Sequence, residues 1–239
     1  MTPKTTKRPD GRANDELREM KAKTGIVKNA DGSAMFSFGN TVAIAAVYGP
    51  RKLLPQHLQN PEKGKLRCYY DLASFSVTER KKPGPSRRSS EISFVTGKAL
   101  EPVIRLDNYP NTVIDVYILV LQADASTRCA GINAAAMALA NAGIPMDEMV
   151  TSVSIGKMGD IIVADLTKEE EDFTIEKNGK EEKAATDIPI AVLSRSKKIS
   201  LLQLDGKCTK EDVKEAVQLA KKVSSKINQV QMEALKKVK

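Results

Sequence analysis

Residues 112–145 contain a strand of β-branched and aliphatic residues that runs directly into a helix built mostly of alanine and aliphatic residues. The segment TVIDVYILVLQADA predicts the strand, and Gly143 and Pro145 end the helix where a C-cap glycine and a following proline are expected. The helix nevertheless opens with the polar residues Ser126 to Arg128. Two interpretations are open: a hydroxyl N-cap followed by an arginine, or a helix start whose free N–H groups and positive dipole end bind an anion.

Pairs of strands followed by a helix occur twice along the chain. Strands are predicted near residues 33–38, 41–48 and 66–76, before the helix described above, and in pairs within 151–167 and 188–206. Further helices are predicted from Glu91 and from Thr209, which forms a capping-box pattern with Asp212. This order predicts an α+β fold with helices packed on mixed sheets, as one compact unit over residues 1–239 that could contain two similar halves.

The chain is strongly basic, and one polar region holds many of the cations. The formal net charge is +8. This excess fits either a polyanionic partner or simple solubility. The region from 60 to 90 contains proline, glycine and a basic cluster that we expect to follow a phosphate backbone: Arg67, Arg80, Lys81, Lys82, Arg87 and Arg88.

The composition argues against several classes of protein. The three cysteines, Cys68, Cys129 and Cys208, lie far apart without a CxxC pair, which argues against a disulfide framework or a zinc site. No apolar run approaches the roughly 20 residues of a membrane-spanning helix, and the N-terminus lacks the apolar segment of a secretory signal. We therefore expect a cytoplasmic protein without membrane contact.

A pair of arginines precedes another predicted helix. In PGPSRRSSE, Arg87 and Arg88 follow a loop that contains proline and glycine. A guanidinium group can bind phosphate through two hydrogen bonds. If the starts of the two helices converge, arginines from both would contact one phosphate.

A further group of candidate residues is acidic. The run that ends at Asp172 is separated from Asp187 by a segment containing KNGK, whose Asn-Gly pair predicts a β-hairpin turn. Pairing around this turn places Thr174 opposite Lys183 and brings Asp172 close to Asp187. Two close carboxylates suit Mg²⁺ binding or proton transfer, although an acidic run is more often a solvated loop.

Several longer motifs resemble the RNase PH family. They are RPDGRANDELR, KNADGSAMFSFGNTVAIAAVYGPR, FSVTERKKPGPSRRSSEIS, TVIDVYILVLQADASTRCAGINAA, NAGIPM and the strand DIPIAV. The resemblance extends over nearly the whole chain and is strongest to the catalytic RNase PH-like subunits of archaeal exosomes. It implies the RNase PH-like fold, also called the ribosomal protein S5 domain 2-like fold, with mixed sheets and helices in two βαβα-type halves.

The resemblance also implies a function. Members of the family are 3′→5′ exoribonucleases that use inorganic phosphate to attack the terminal phosphodiester and release nucleoside diphosphates, with help from Mg²⁺. The resemblance further implies single-stranded RNA as substrate, a hexameric ring in which this chain alternates with a related non-catalytic RNase PH-like subunit, and RNA-binding cap subunits. Two alternatives remain open: a catalytically inactive, RNA-binding structural subunit of the same ring, and a self-sufficient bacterial-type enzyme that trims transfer RNA ends.

The family pattern, carried over to this sequence, implies individual site residues. The implied phosphate-binding residues are Arg88, Ser126, Thr127 and Arg128. The implied catalytic residues and metal ligands are Asp172 and Asp187, of which Asp187 is the general acid or helps to hold the metal. The implied RNA-binding residues are Arg67, Arg87 and Tyr69. Because phosphate and phosphodiester repel each other, we expect cationic groups and positioning to supply most of the rate acceleration.

The sequence departs from the family pattern at several places. The link between the two acids is expanded into an inserted hairpin over residues 172–187, so that Asp172 or one of Glu169 to Glu171 could fill the first acidic position. Tyr69 stands where close relatives have an arginine, and it could stack on a base. Two further differences are Asn111, in place of an arginine, and Ser126, in place of a glycine.

Overall fold

The computed structural model describes residues 8–79, 81–177 and 180–237. The strands are β1 Met20–Thr24, β2 Gly32–Phe38, β3 Thr41–Lys52, β4 Lys65–Leu72, β5 Thr112–Gln122, β6 Val150–Met158, β7 Ile161–Ala164, β8 Thr174–Lys177, β9 Lys180–Lys183, β10 Ala185–Leu193 and β11 Ile199–Leu202. The helices are α1 Arg87–Leu100, α2 Thr127–Asn141, α3 Lys168–Glu171 and α4 Lys210–Lys236, with short 3-10 helices at Gln56–Leu58, Glu101–Val103 and Leu106–Asn108. Within the described ranges, none of the helices combines the length and the apolar character needed to cross a membrane.

Two sheets make up most of the fold. The first has the strand order β1-β2-β3-β5-β4, in which β4 and β5 are parallel and the other neighbours are antiparallel. The second is antiparallel and has the order β11-β10-β6-β7. Helices pack on these sheets, so the predicted α+β class with a mixed sheet is confirmed.

Helix α2 lies between the two sheets and forms the centre of the core. Every residue from Cys129 to Leu139 is buried, as expected for a helix that lacks a polar face. The helix packs against β2 and β3 of the first sheet and against β6 of the second, within one continuous apolar cluster. At its end, a Cβ atom on Gly32 of β2 would lie 2.3 Å from the backbone nitrogen of Ala142, so the close approach of β2 requires glycine there.

Helix α1 begins earlier than the sequence predicts. The predicted start is Glu91, with Arg87 and Arg88 ahead of the helix, but both arginines belong to its first turn. The Ser86 hydroxyl accepts a hydrogen bond from the Ser89 backbone N–H at 3.0 Å, and the Ser86 N–H donates to the Ser89 hydroxyl at 2.7 Å. This capping box is hard to recognise in the sequence because serine replaces the usual glutamate or glutamine at its third helical position.

Several local predictions are confirmed. β2 and β3 form the predicted hairpin, and Thr209 and Asp212 form the capping box of α4. In the hairpin of β8 and β9, Thr174 pairs with Lys183 as predicted, while the Asn-Gly turn itself lies outside the described residues. The sequence analysis misses β1, because its segment MKAKT is short and polar and forms a half-exposed edge of the first sheet.

Candidate active site

The hydroxyl of Ser126 points away from the helix that it precedes. Ser126 occupies the N-cap position of α2 with φ of 53° and ψ of 17°, in the left-handed region. Its hydroxyl lies 3.1 Å from Asp165 Oδ1 and 3.2 Å from the Leu166 carbonyl oxygen, to which it can donate. The N–H groups of the first turn therefore keep their capacity to bind an anion. The interpretation as an ordinary hydroxyl N-cap is wrong.

A cavity of about 760 Å³ brings the starts of α1 and α2 together. Its walls include Arg88 from α1, the segment Ser126 to Arg128 at the start of α2, and Asp187 from β10. These elements meet because α1 packs beside α2, while β10 pairs with β6, on which α2 also packs. The cavity combines cationic side chains, a helix start and a carboxyl group.

Polar side chains orient Arg128 in this cavity. Its Nη1 donates a hydrogen bond to Gln203 Oε1. Gln203 Nε2 donates to Glu91 Oε1 at 3.1 Å, and the same oxygen lies 3.9 Å from Arg128 Nη2. Arg88 is exposed at the first turn of α1, whereas the Arg128 side chain is mostly buried. Arg128 is thus the more rigidly held of the two cations.

Asp187 is held in β10 by its neighbours. Its backbone N–H and carbonyl bond to Asp205 at 3.0 and 2.9 Å, and the Ser154 hydroxyl donates to its Oδ1. Burial raises the pKa of the Asp187 carboxyl above its ordinary value, and the charge of Glu171 raises that pKa further. The Ser154 hydrogen bond and the charge of Arg128 act in the opposite direction without cancelling the rise. A carboxyl group with a raised pKa is better suited to donate a proton.

Glu171, and not Asp172, lines the cavity together with Asp187. The hairpin pairing predicts Asp172 beside Asp187, but Asp172 is exposed and its Oδ1 accepts a hydrogen bond from Lys168 Nζ at 2.8 Å. Glu171, one residue earlier, lines the cavity. Successive residues of a helix are rotated by about 100°, so the adjacent acids at the end of α3 point in different directions. The geometry therefore favours Glu171 among the acids that the sequence left open.

Asp187 and Glu171, two of the four acidic residues that line this cavity with Glu79 and Asp124, could hold a metal ion. Mg²⁺ prefers oxygen ligands and is often bound by one or two carboxylates together with substrate phosphates. Both carboxyl groups line the same cavity, and the charge of Glu171 raises the pKa of Asp187. Among the described residues no cluster of three or more His, Cys, Asp or Glu side chains could bind a metal by itself. This donor set fits Mg²⁺ that completes its ligands with phosphate and water.

Arg67 and Tyr69 lie outside this cavity. They belong to β4 and line a second cavity of about 690 Å³. Arg67 donates two hydrogen bonds to Asp115, at 2.7 and 2.9 Å, and Tyr69 stacks on Tyr117 with ring centroids 4.8 Å apart. Arg87 is exposed in the first turn of α1, outside both cavities. The structure thus separates the residues predicted to bind RNA from those predicted to bind phosphate.

Other cavity residues were not predicted, among them Phe75, Ser154 and Lys168. Phe75 is 77% exposed, an unusual environment for a phenylalanine. Its position in the motif FSVTERKKPGPSRRSSEIS is the sequence signal that could have identified it. Lys168 could have been noticed as the cation that opens an acidic run, whereas Ser154 lies in a buried strand and has no local signal.

Family models match the two parts of this chain. Domain 1 of the 3′ exoribonuclease family matches residues 16–145, and domain 2 of the same family matches residues 148–223. The first range contains all strands of the first sheet, and the second contains all strands of the second. The chain therefore belongs to the 3′ exoribonuclease family of RNase PH type, and the resemblance noted in its motifs is confirmed.

The individual relatives include archaeal exosome subunits. Exosome complex component Rrp41 of Pyrococcus furiosus is 51% identical over 230 residues, which cover 96% of this chain and 88% of the relative. Rrp41 of Archaeoglobus fulgidus is 46% identical over 231 residues, which cover 95% of this chain and 86% of the relative.

Solved structures share the fold. The crystal structure of rice (Oryza sativa) Rrp46 aligns with a TM-score of 0.81 at 24% identity, covering 96% of this chain and 100% of that chain. The Archaeoglobus fulgidus exosome with RNA bound to the active site aligns with a TM-score of 0.78 at 19% identity, covering 93% of this chain and 92% of that chain. Both similarities confirm the RNase PH-like fold.

Proposed function

We propose that this chain is the catalytic subunit of an exosome-type ring and degrades RNA from its 3′ end by phosphorolysis. The family is one of 3′ exoribonucleases, and the archaeal relatives are named as exosome components. The observation that carries the proposal is the cavity in which Arg88, the start of α2 and Asp187 meet. Attack of phosphate on a phosphodiester requires this combination of anion-binding groups and an acid.

Inorganic phosphate is the attacking co-substrate. It binds at the N–H groups of the first turn of α2, between the guanidinium groups of Arg88 and Arg128. These groups offset the repulsion between phosphate and the RNA phosphodiester and position the attacking oxygen. The new P–O bond joins phosphate to the terminal nucleotide, which leaves as a nucleoside diphosphate. The bond to the 3′ oxygen of the preceding nucleotide breaks, and Asp187 donates a proton to that oxygen.

In its ionised form, Asp187 would together with Glu171 hold Mg²⁺. The bound ion would neutralise negative charge on the phosphoryl oxygens. The family pattern implies Asp172 as the second ligand. Because Asp172 is exposed and pairs with Lys168, whereas Glu171 lines the cavity, we assign that role to Glu171. Lys168 itself lines the cavity and adds positive charge near the anions.

Single-stranded RNA is the proposed substrate. The net charge of +8 fits a polyanionic ligand, and exposed Phe75 at the cavity wall offers a face on which a base can stack. Arg67, Arg87 and Tyr69 would contact RNA farther from the reacting phosphate, because they lie outside the cavity. The proposed assembly is a cytoplasmic hexameric ring with a related non-catalytic RNase PH-like subunit and RNA-binding cap subunits.

A catalytically inactive, RNA-binding ring subunit is the second candidate function. It is favoured by the exposed position of Asp172, which does not line the cavity, and by the pairing of Arg67 with Asp115. The convergence of Arg88, the start of α2 and Asp187 favours the catalytic function.

The test is degradation of a 5′-labelled single-stranded RNA by the chain together with its co-purified partner, in Mg²⁺, with and without inorganic phosphate. We expect phosphate-dependent shortening and nucleoside diphosphate products. Asp187→Asn should lower the rate about 10²- to 10⁴-fold. The control Asp147→Asn breaks an exposed pair with Arg105, away from the cavity, and should leave the rate unchanged.

Two other results would count against the proposal. RNA binding without shortening, unaffected by Asp187→Asn, would identify the inactive ring subunit. Release of nucleoside monophosphates in the absence of phosphate would show hydrolysis and would exclude phosphorolysis.

A further inference from the structure

The turn that precedes α2 has an unfavourable backbone conformation. Ala125 and Ser126 have φ of 52° and 53°, in the left-handed region that residues with a Cβ atom seldom occupy. Such a turn persists only when its surroundings hold it. Both residues line the cavity, so the shape of the turn decides where the N–H groups at the start of α2 point.

A buried carboxylate holds Ser126 in this conformation. Asp165 is fully buried and itself has φ of 58°. Its Oδ1 lies 3.1 Å from the Ser126 hydroxyl and accepts a hydrogen bond from Arg18 Nη2 at 2.6 Å. Its Oδ2 accepts hydrogen bonds from the backbone N–H of Arg18 at 3.0 Å and from Arg18 Nε at 2.8 Å. Asp165 therefore links Ser126 to Arg18.

Arg18 contacts the other end of the turn. Its Nη1 donates to the carbonyl oxygen of Asp124 at 2.7 Å. The Thr41 hydroxyl lies 2.8 Å from the same oxygen and 2.7 Å from the carbonyl oxygen of Ala125. The Arg18 side chain is only 8% exposed, so these hydrogen bonds are shielded from water. The turn is thus held at both ends.

We propose that Arg18 and Asp165 are positioning residues of the anion site and act through the turn Asp124–Ser126. Both side chains lie outside the cavity lining, so they act on the phosphate through the turn. They keep the turn in its left-handed backbone conformation, so that the N–H groups at the start of α2 and the guanidinium of Arg128 point at the same anion. The inference rests on the proposed phosphorolytic function and gives a role to the motif RPDGRANDELR, which ends at Arg18.

The test begins with Asp165→Asn. Asparagine keeps the shape of aspartate and tolerates a positive φ, but it loses the charge that pairs with Arg18 and, at 3.5 Å, with Arg12. Nucleoside diphosphate release by the chain with its partner is measured while phosphate and RNA are varied separately. We expect the KM for phosphate to rise about tenfold, with kcat and the KM for RNA changed less than about threefold. The control Asp147→Asn, in an exposed arginine–aspartate pair, should change none of these values.

A second substitution separates positioning from a general loss of stability. Glycine adopts a positive φ without the Cβ penalty, so Ser126→Gly should make the turn less dependent on Asp165. In the Asp165→Asn background it should lower the KM for phosphate several-fold relative to the single variant. A merely structural defect would reduce the amount of folded enzyme, and therefore kcat, and Ser126→Gly would not repair the KM.

The outcomes separate this inference from the proposed function. If the wild-type complex releases no nucleoside diphosphate, both the proposed function and the positioning role are wrong. If the wild type is active but Asp165→Asn leaves the KM for phosphate unchanged, the positioning role alone is wrong.

Arg18→Lys is used if Asp165→Asn shows no cooperative unfolding in circular dichroism. Lysine keeps the charge but loses the forked hydrogen bonds, so the same rise in the KM for phosphate is expected. If neither variant folds, the pair maintains the fold as a whole and the inference is overturned.

Discussion

The adjacent acids Glu171 and Asp172 have different environments. Glu171 lines the cavity with Asp187 and lies 3.8 Å from Lys168, whereas exposed Asp172 accepts the closer contact from Lys168 at 2.8 Å. An exposed ion pair contributes little because water screens its charges. A carboxylate beside a second carboxylate in a cavity is suited to share a cation. At the scale of single residues, the capacity to bind a cation therefore depends on which of the two adjacent acids lines the cavity.

Substitution of each acid in turn tests this difference. Glu171→Gln should raise the Mg²⁺ concentration for half-maximal activity about tenfold, because it removes one of the two proposed carboxylate ligands. Asp172→Asn removes the same charge one residue away and should shift that concentration less than about twofold. Titration of nucleoside diphosphate release with Mg²⁺ measures both effects. An equal shift in the two variants would contradict the assignment of Glu171.

Burial gives Asp187 a pH-dependent effect on stability. Its pKa in the folded chain is raised above the value of roughly 3.9 expected when the chain is unfolded. Such a group stabilises the fold fully below the unfolded pKa, and this contribution is lost as the pH rises through the folded pKa. Asparagine does not ionise. The Tm of Asp187→Asn minus that of the wild type should therefore be more positive at pH 7 than at pH 4. Each kcal/mol of unfolding free energy that the wild type loses between these two pH values should change this Tm difference by about 2–4 °C.

Calorimetry in metal-free buffer measures this difference. The buffer must lack Mg²⁺ because a bound cation would stabilise the ionised carboxyl group of the wild type. A Tm difference that stays constant between pH 4 and pH 7 would contradict a raised pKa at Asp187.

At the scale of elements, the segment before β1 anchors α3. Arg8 Nε and Nη2 donate to the carboxylate of Glu170 at 2.7 and 3.0 Å, and both side chains are fully buried. Arg8 also donates to the carbonyl oxygens of Ala164 and Asp165, at 3.0 and 3.1 Å. The orientation of α3, and with it the position of Glu171, therefore depends on residues near the start of the chain.

Removal of Arg8 should be costly for this reason. Arg8→Met removes both of its hydrogen bonds to the buried Glu170 and leaves that carboxylate with Arg12, at 3.7 Å, as its cation, and we expect a loss of about 3–5 kcal/mol in the free energy of unfolding. The control Arg105→Met breaks the exposed pair with Asp147 and should cost less than about 1 kcal/mol. Urea denaturation followed by circular dichroism measures both values. Similar losses in the two variants would show that the buried pair does not anchor the fold.

At the scale of the whole molecule, the cavity lies where the two halves meet. The first half supplies Arg88 and the start of α2, and the second supplies Ser154, Glu171 and Asp187. The family models divide the chain in the same way, and α2 joins both halves in one core. The proposed phosphate-binding groups and the proposed acid are therefore placed relative to each other by the packing of α2.

The isolated chain should be weakly active or inactive. Large apolar side chains are exposed, including Phe94 and Leu54 at 67% and 64%, which is typical of surfaces that contact another protein. We expect phosphorolysis to increase strongly when the partner subunit is co-expressed. Activity assays of the chain alone and of the complex, with native mass spectrometry of both, measure this dependence. Strong activity of a purified monomer would contradict it.

Local patterns in the sequence predicted most elements and much of the candidate site. Periods of two and 3.6 residues report which face of a strand or helix is buried, and these preferences act over short distances. The same local chemistry predicted the capping box at Thr209 and the pairing of Thr174 with Lys183. The family motifs pointed to Arg88 and Asp187, which the structure brings to one cavity.

Only the tertiary structure decided the orientations of side chains that contact residues far away in the sequence. The Ser126 hydroxyl reaches Asp165 across 39 positions, Arg67 meets Asp115 across 48, and Arg8 meets Glu170 across 162. A local pattern does not report which distant carboxylate a side chain will reach. The left-handed turn at Ser126 is tolerated because such contacts hold it. The sequence alone thus identified candidate residues for the anion site, whereas the packing of the two halves decided where their donors and carboxylates point.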